Sequence, residues 1–194
     1  MIVFDSDDFG CNHVISDMCQ SHDCCDVLLK FKEINPAFKA TLFTIPGEMT
    51  PELMRWCLFN SEWIEIAVHG FYHESNYECE KMSYDEFDDM MEHSSVRRTV
   101  AGMEKGFKAP GWQISDDIYL WLKDNGYWVA DQAYNNDRRP KDLPVYIIDE
   151  NPEITSIHTH TWNCVGNGVY ELFDEICEKI KDETEFKFVS EVVR

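Results

Sequence analysis

The chain has 194 residues, with 17 Lys plus Arg against 37 Asp plus Glu, a formal net charge of −20. That length predicts one domain over residues 1–194, large enough to bury a core without disulfide or metal staples. The surface field repels phosphate, which excludes nucleic acid and anionic membranes as partners, and no apolar run reaches the roughly 18 residues of a membrane helix.

The chain opens Met-Ile-Val-Phe-Asp-Ser-Asp-Asp, with no basic stretch before an apolar run. A cytoplasmic protein without a secretory leader is therefore expected. Its eight cysteines then read as thiols, core residues or metal ligands rather than disulfides. The densest group (Cys11, His13, Cys19, His22, Cys24 and Cys25) lacks the paired spacing of a zinc finger and reads as helix-face thiols.

Residues 1–4 are a short apolar run ending in acids, a buried strand. Residues 13–33 place Val14, Met18, Val27, Leu28 and Phe31 at helical spacing. A second strand spans 40–45 and stops at Pro46-Gly47. Thr50-Pro51-Glu52 starts a helix, with a capping hydroxyl and proline at the first position. A third strand covers 63–68, and Ser83-Tyr84-Asp85-Glu86 is a capping box opening an acidic helix. Residues 106–109 are short and extended, Ser115 caps a helix through Lys123, and 126–130 are extended again. Strands follow at 145–148 and 155–158, then an amphipathic helix over 169–181 and a last strand over 186–189. Strand–helix alternation of this kind predicts a parallel sheet with helical crossovers, either a small β/α barrel of seven or eight strands or a doubly wound open sheet. In both, function sits at the carboxyl ends of the strands.

Four such ends carry unusual residues. The first reads Asp5-Ser6-Asp7-Asp8, and carboxylates this close repel unless they lie in a solvated turn or around a cation. The third strand runs into His69-Gly70-Phe71-Tyr72-His73; imidazole is the commonest side-chain metal ligand. Lys108-Ala109-Pro110-Gly111-Trp112 is first of all a turn, and also a place to offer N–H groups and a cation to an oxyanion. In Ser156-Ile157-His158-Thr159-His160, the two histidines share a strand face, as surface residues or as a functional pair.

Together and in this order, these segments resemble the polysaccharide deacetylase family, the NodB-homology family of carbohydrate esterases. The acid pair matches Asp7-Asp8, His-x-x-x-His matches His69 and His73, Arg-x-Pro matches Lys108-Ala109-Pro110, and the late histidine matches His158 or His160. Gly126-Tyr127-Trp128-Val129-Ala130-Asp131 is similar to the segment whose acid supports the cation. The resemblance implies a distorted (β/α) barrel of about seven strands. It implies a divalent metal, most often zinc, on Asp8, His69 and His73. Asp7 is then the general base toward the attacking water, Gly111 N–H a donor to the carbonyl oxygen, and His158 or His160 the acid that protonates the leaving amine.

The sequence departs from that pattern in two places. Asp5-Ser6 stands where the family has Thr or Ser and an aromatic, so Asp5 either supports the site or competes as a ligand. Lys108 replaces Arg, keeping the charge but losing the planar fork, and a Lys108–Asp131 pair is expected. Tyr72, Trp112, Trp128 and Trp162 crowd these ends, as sugar-stacking faces or as plugs of the barrel mouth. The expected activity is metal-dependent removal of an N-acyl group, most simply N-acetyl, from an amino sugar or glycan. The alternatives are a small-amide hydrolase such as a deformylase on the same fold, or an inactive barrel that binds a glycan or a protein.

Overall fold

The computed structural model describes residues 1–10, 22–73, 75–147, 151–161 and 168–193. Eight strands alternate with five helices: β1 (Ile2–Phe9), α1 (His22–Ile34), β2 (Ala40–Thr44), α2 (Pro51–Phe59), β3 (Ile64–His69), α3 (Tyr84–Ala101), β4 (Gly106–Lys108), α4 (Asp116–Asp124), β5 (Trp128–Asp131), β6 (Val145–Ile147), β7 (Thr155–His160), α5 (Phe173–Ile180) and β8 (Phe186–Lys187). The caps read from the sequence are formed. Thr50 accepts from Leu53 N–H, Ser115 from Ile118 N–H, and Ser83 and Glu86 make a reciprocal capping box.

All strand pairings are parallel, in the order β6-β5-β4-β3-β2-β1-β7, and β8 pairs with Ile2 and Val3 of β1. The seven strands curl into an open half-barrel, one of the two architectures expected. Among the described residues, the end strands β6 and β7 share no backbone ladder; the Tyr146 and Ser156 hydroxyls bridge them at 2.9 Å.

The pleat sorts the side chains into two layers. Phe4, Leu42, Ile64, Ile66 and Ile157 point outward into a core with α1, α2 and α5, where Phe4 meets Phe31 and Phe38 edge-on at 5.9 and 5.2 Å. Val68, Phe107 and Val129 pack outward on α3 and α4. The opposite faces meet inside the barrel, where Val3, Phe43, Ala67, Trp128, Ala130 and Tyr146 form a plug. Trp128 lies flat over Gly106, where a Cβ would meet the indole at 2.1 Å, so only glycine fits. Trp128 is therefore a buried barrel plug, not a sugar-stacking face.

Several boundaries move. β1 does not stop at Phe4 but continues through the acids to Phe9. β7 runs on to His160, α5 starts at Phe173 after a turn, and the last strand has two residues. Cys11, His13 and Cys19 lie outside the described residues; Cys24 is buried in the outer core and Cys25 packs against it. Among the described residues, no helix is long and apolar enough to cross a membrane.

Candidate active site

Strand alternation alone would send Asp7 and Asp8 to opposite faces of β1. Instead the register against β2 shifts between Ser6 and Phe9, and Asp8 adopts a left-handed backbone with φ 62°. This bulge re-aims the Asp8 side chain toward the barrel mouth, where Asp7 already points. Thr161 pins the bulge: its N–H donates to the Asp7 carbonyl at 3.0 Å and its hydroxyl to the Asp8 carbonyl at 2.8 Å.

His69 ends β3 opposite Lys108 of β4. Its Nδ1 lies 2.9 Å from the Lys108 carbonyl, which can only accept, so Nδ1 carries the proton. A neutral ring then turns its Nε2 lone pair toward Asp8 Oδ1, 3.4 Å away. His73 reaches the same oxygen at 3.1 Å from a turn in which Gly70 and His73 both have positive φ, 62° and 53°. Glu78 holds that turn. Its carboxylate accepts the N–H groups of Phe71 at 3.1 Å, Tyr72 at 3.2 Å and His73 at 3.0 Å. A Cβ on Gly70 would meet Glu78 Oε2 at 2.4 Å, so the glycine is what lets the carboxylate in. Glu78→Ala should keep the fold and weaken the affinity for added zinc by roughly 10–100-fold if Asp8, His69 and His73 hold an ion, as loss of an outer-shell partner does, measured by competition with a fluorescent chelator.

Asp8, His69 and His73 fit a metal ion. Donors about 2.0–2.1 Å from a tetrahedral ion stand roughly 3.3 Å apart, and the observed separations are 3.1 and 3.4 Å. Among the described residues, Asp8 Oδ1 is buried and makes no hydrogen bond of good geometry, although two imidazoles face it. An acceptor opposite lone pairs is stable with a cation between them, a proton or a metal ion. In a second group, Asp7, His158 and His160, the ligand atoms also lie within 4.8 Å of one another. There Lys108 already neutralises Asp7, at 2.7 Å from Oδ1.

Lys108 has no exposed surface, and its Nζ also lies 3.0 Å from Asp5 Oδ1. Phe43 and Trp112 cover it on two sides, with ring centroids 4.6 and 4.4 Å from Nζ. The Lys108–Asp131 pair expected from the sequence does not form. Lys108 registers with Ala130, so the next residue, Asp131, points to the outer layer. There Asp131 accepts from the Tyr119 hydroxyl at 2.5 Å, Arg139 Nη1 at 2.7 Å and Asn135 Nδ2 at 2.8 Å. It is a strut between β5 and α4, not a site residue. Asp5, on the inner face directly opposite His158, takes its place beside the lysine.

No protein-family model and no curated protein matches the sequence. Solved structures do match. One is a family 4 acetyl xylan esterase from Clostridium thermocellum, in complex with a cobalt ion (TM-score 0.66, 16% identity, 98% of this chain and 88% of that one). Another is the chitin deacetylase of the fungal pathogen Colletotrichum lindemuthianum (TM-score 0.62, 13% identity, 98% and 85%). A third is a family 4 pseudoenzyme from Bacillus anthracis (TM-score 0.64, 14% identity, 99% and 64%). The chain has the carbohydrate esterase family 4 fold.

On this family 4 fold the four strand ends singled out in the sequence converge. Burial opposes ionisation of Asp5, yet Lys108 and His158 hold its carboxyl below the usual carboxylate range. The same contest at Asp8 is won by the His69 and His73 imidazoles, which lower it. Burial disfavours a charged His69, but Asp7 and Asp8 raise it above the ordinary histidine value. At His160 burial prevails over both acids, and the value falls. Gly111 is exposed in the turn after β4, left-handed at φ 57° and packed so closely on Asn76 that a Cβ would come within 2.7 Å. Trp112 is half-buried against Lys108 and the His158 ring, Tyr72 is exposed, and Trp162 lies outside the described residues. Glu78 and Thr161 were missed by the sequence reading, since neither belongs to a spaced motif.

Proposed function

We propose that this chain is a metal-dependent deacetylase that hydrolyses the N-acetyl group of an amino sugar or glycan. One observation carries the reading: a carboxylate and two imidazoles fit for a metal stand beside a separate carboxylate and imidazole at one barrel mouth. Asp8, His69 and His73 would hold the ion, and two histidines with one carboxylate suit zinc. When bound, such an ion polarises an acyl carbonyl and makes water a nucleophile near neutral pH.

The chain's own residues supply the rest. Asp7 takes a proton from the attacking water while Lys108 holds its carboxylate in place. The water oxygen bonds to the carbonyl carbon, and the Gly111 N–H is a donor to the oxygen that becomes negative. His158 gives its Nε2 proton to the sugar nitrogen as the C–N bond breaks, so acetate and a free amine leave. Trp112 beside His158 and the exposed Tyr72 offer faces for sugar rings. Two structural neighbours, an acetyl xylan esterase and a chitin deacetylase, support an acetylated glycan as substrate.

A second reading is a silent barrel that keeps the fold and binds a glycan. It is favoured by the pseudoenzyme among the neighbours and by Lys108 and Asp5-Ser6 in place of the usual residues. The test is acetate release from N-acetylglucosamine oligomers and acetylated xylan by zinc- and cobalt-loaded protein. Acetate in step with new amine is the expected result. An ion held tightly, with neither acetate nor formate released from any acylated sugar, would establish the second reading.

A further inference from the structure

Asp5 is buried on the inner face of β1, directly opposite His158 of β7. Its Oδ1 lies 2.7 Å from His158 Nδ1, the shortest contact that the imidazole makes among the described residues. A carboxylate accepts, so Nδ1 must be the protonated nitrogen. Lys108 Nζ is 3.3 Å from the same nitrogen but needs a lone pair there, which the shorter bond to Asp5 removes. His158 is thus held by its inner nitrogen. Its Nε2 faces Asp7 Oδ2 at 3.8 Å, toward the carboxylate assigned as the base. Asp131, the acid expected to support the lysine, is turned away into the outer layer and cannot serve either group.

We propose that Asp5 is the positioning residue of this site: it fixes His158 with Nε2 toward the substrate and shares Lys108 with Asp7. One buried carboxylate on β1 thereby aligns the acid, while Lys108 stays paired with Asp7, the base. An Asp in place of the expected hydroxyl residue at position 5 is then a working substitution rather than a sign of decay. In the step it supports, Asp5 keeps its charge throughout. His158 delivers the Nε2 proton to the leaving nitrogen, and Asp5 holds the Nδ1 proton on the ring, which leaves as a neutral Nδ1–H tautomer.

The inference deepens the deacetylase reading, and the test has one arm that does not depend on it. In zinc-loaded protein labelled with ¹⁵N-histidine, His158 should show a protonated Nδ1 in the wild type, and Asp5→Asn should redistribute that proton between the two nitrogens. An unprotonated Nδ1 in the wild type, or no change in the variant, overturns the proposal whether or not the protein is active. The second arm compares leaving groups. Asp5→Asn should retain its metal and lose about 10²–10³-fold in kcat on an N-acetyl sugar, whose amine must be protonated. On 4-nitrophenyl acetate, whose leaving group departs unprotonated, it should lose less than about 5-fold. His158→Ala should behave alike, and the double variant should be no worse than His158→Ala. Equal losses on both substrates, or additive losses in the double variant, would show Asp5 to be structural only. Should the wild type release no acetate, the deacetylase reading fails and the tautomer measurement alone decides.

Discussion

Purified with zinc, the wild-type protein should hold one divalent ion per chain, and His69→Ala and Asp8→Asn should hold none. His69 is a buried, pre-oriented donor: its Nδ1–H is tied to the Lys108 carbonyl, so the lone pair needs no reorganisation to bind. Asp8 is held at its bulge by Thr161. Removing either ligand should therefore cost more than the roughly 10–100-fold expected of outer-shell partners such as Glu78. The same loss should appear as stability. Saturation at about 1,000 times Kd stabilises a folded protein by about 4 kcal/mol, which for a chain of this size raises Tm by roughly 10 °C. Elemental analysis and a melting curve with and without zinc would show both effects in the wild type and neither in the variants. Asp8→Asn serves as the shape-preserving control, because His69→Ala also leaves a cavity beside Phe43. His158→Ala should keep its ion. An ion retained in His69→Ala but lost in His158→Ala would move the centre to Asp7, His158 and His160.

The structure also explains which parts of this arrangement a single sequence can disclose. Helix starts were legible because Thr50, Ser83 and Ser115 act on N–H groups three residues away. The strand ends and their order were legible because apolar runs and turn residues are local too. Local pattern ends the first strand at Phe4, because acids in a buried strand are costly. That cost is met by a lysine 103 residues away and a histidine 153 residues away, which no local pattern announces. The bulge at Asp8 is hidden for a similar reason. Two adjacent acids look like two faces of a strand, and only Thr161, on the far side of β7, reveals that they turn together. Asp131 failed as a partner for Lys108 through the pleat: one residue along β5 exchanges the barrel interior for the α4 layer.

Asp7→Asn should separate chemistry from metal binding. Asp7 is buried, paired through Oδ1 with Lys108 at 2.7 Å, and its Oδ2, 3.9 Å from His69 Nε2, lies farther from that ring than Asp8 Oδ1 does. An asparagine keeps the volume and one acceptor oxygen for the lysine, while Asp5 continues to neutralise that cation. What disappears is a group that can accept a proton from water. The variant should therefore hold its ion and its fold, with KM changed less than about 3-fold and kcat reduced by about 10²–10⁴-fold. Attack by water precedes departure of any leaving group, so the loss should be as large on 4-nitrophenyl acetate as on an N-acetyl sugar. This is where Asp7→Asn and Asp5→Asn must part: a base is needed for both substrates, an acid for the amine alone. If Asp7→Asn lost its metal, Asp7 would be a ligand and the two acids would exchange roles. If it kept both metal and rate, the proton would have to leave by another group, and the paired lysine would be a structural filler of the barrel.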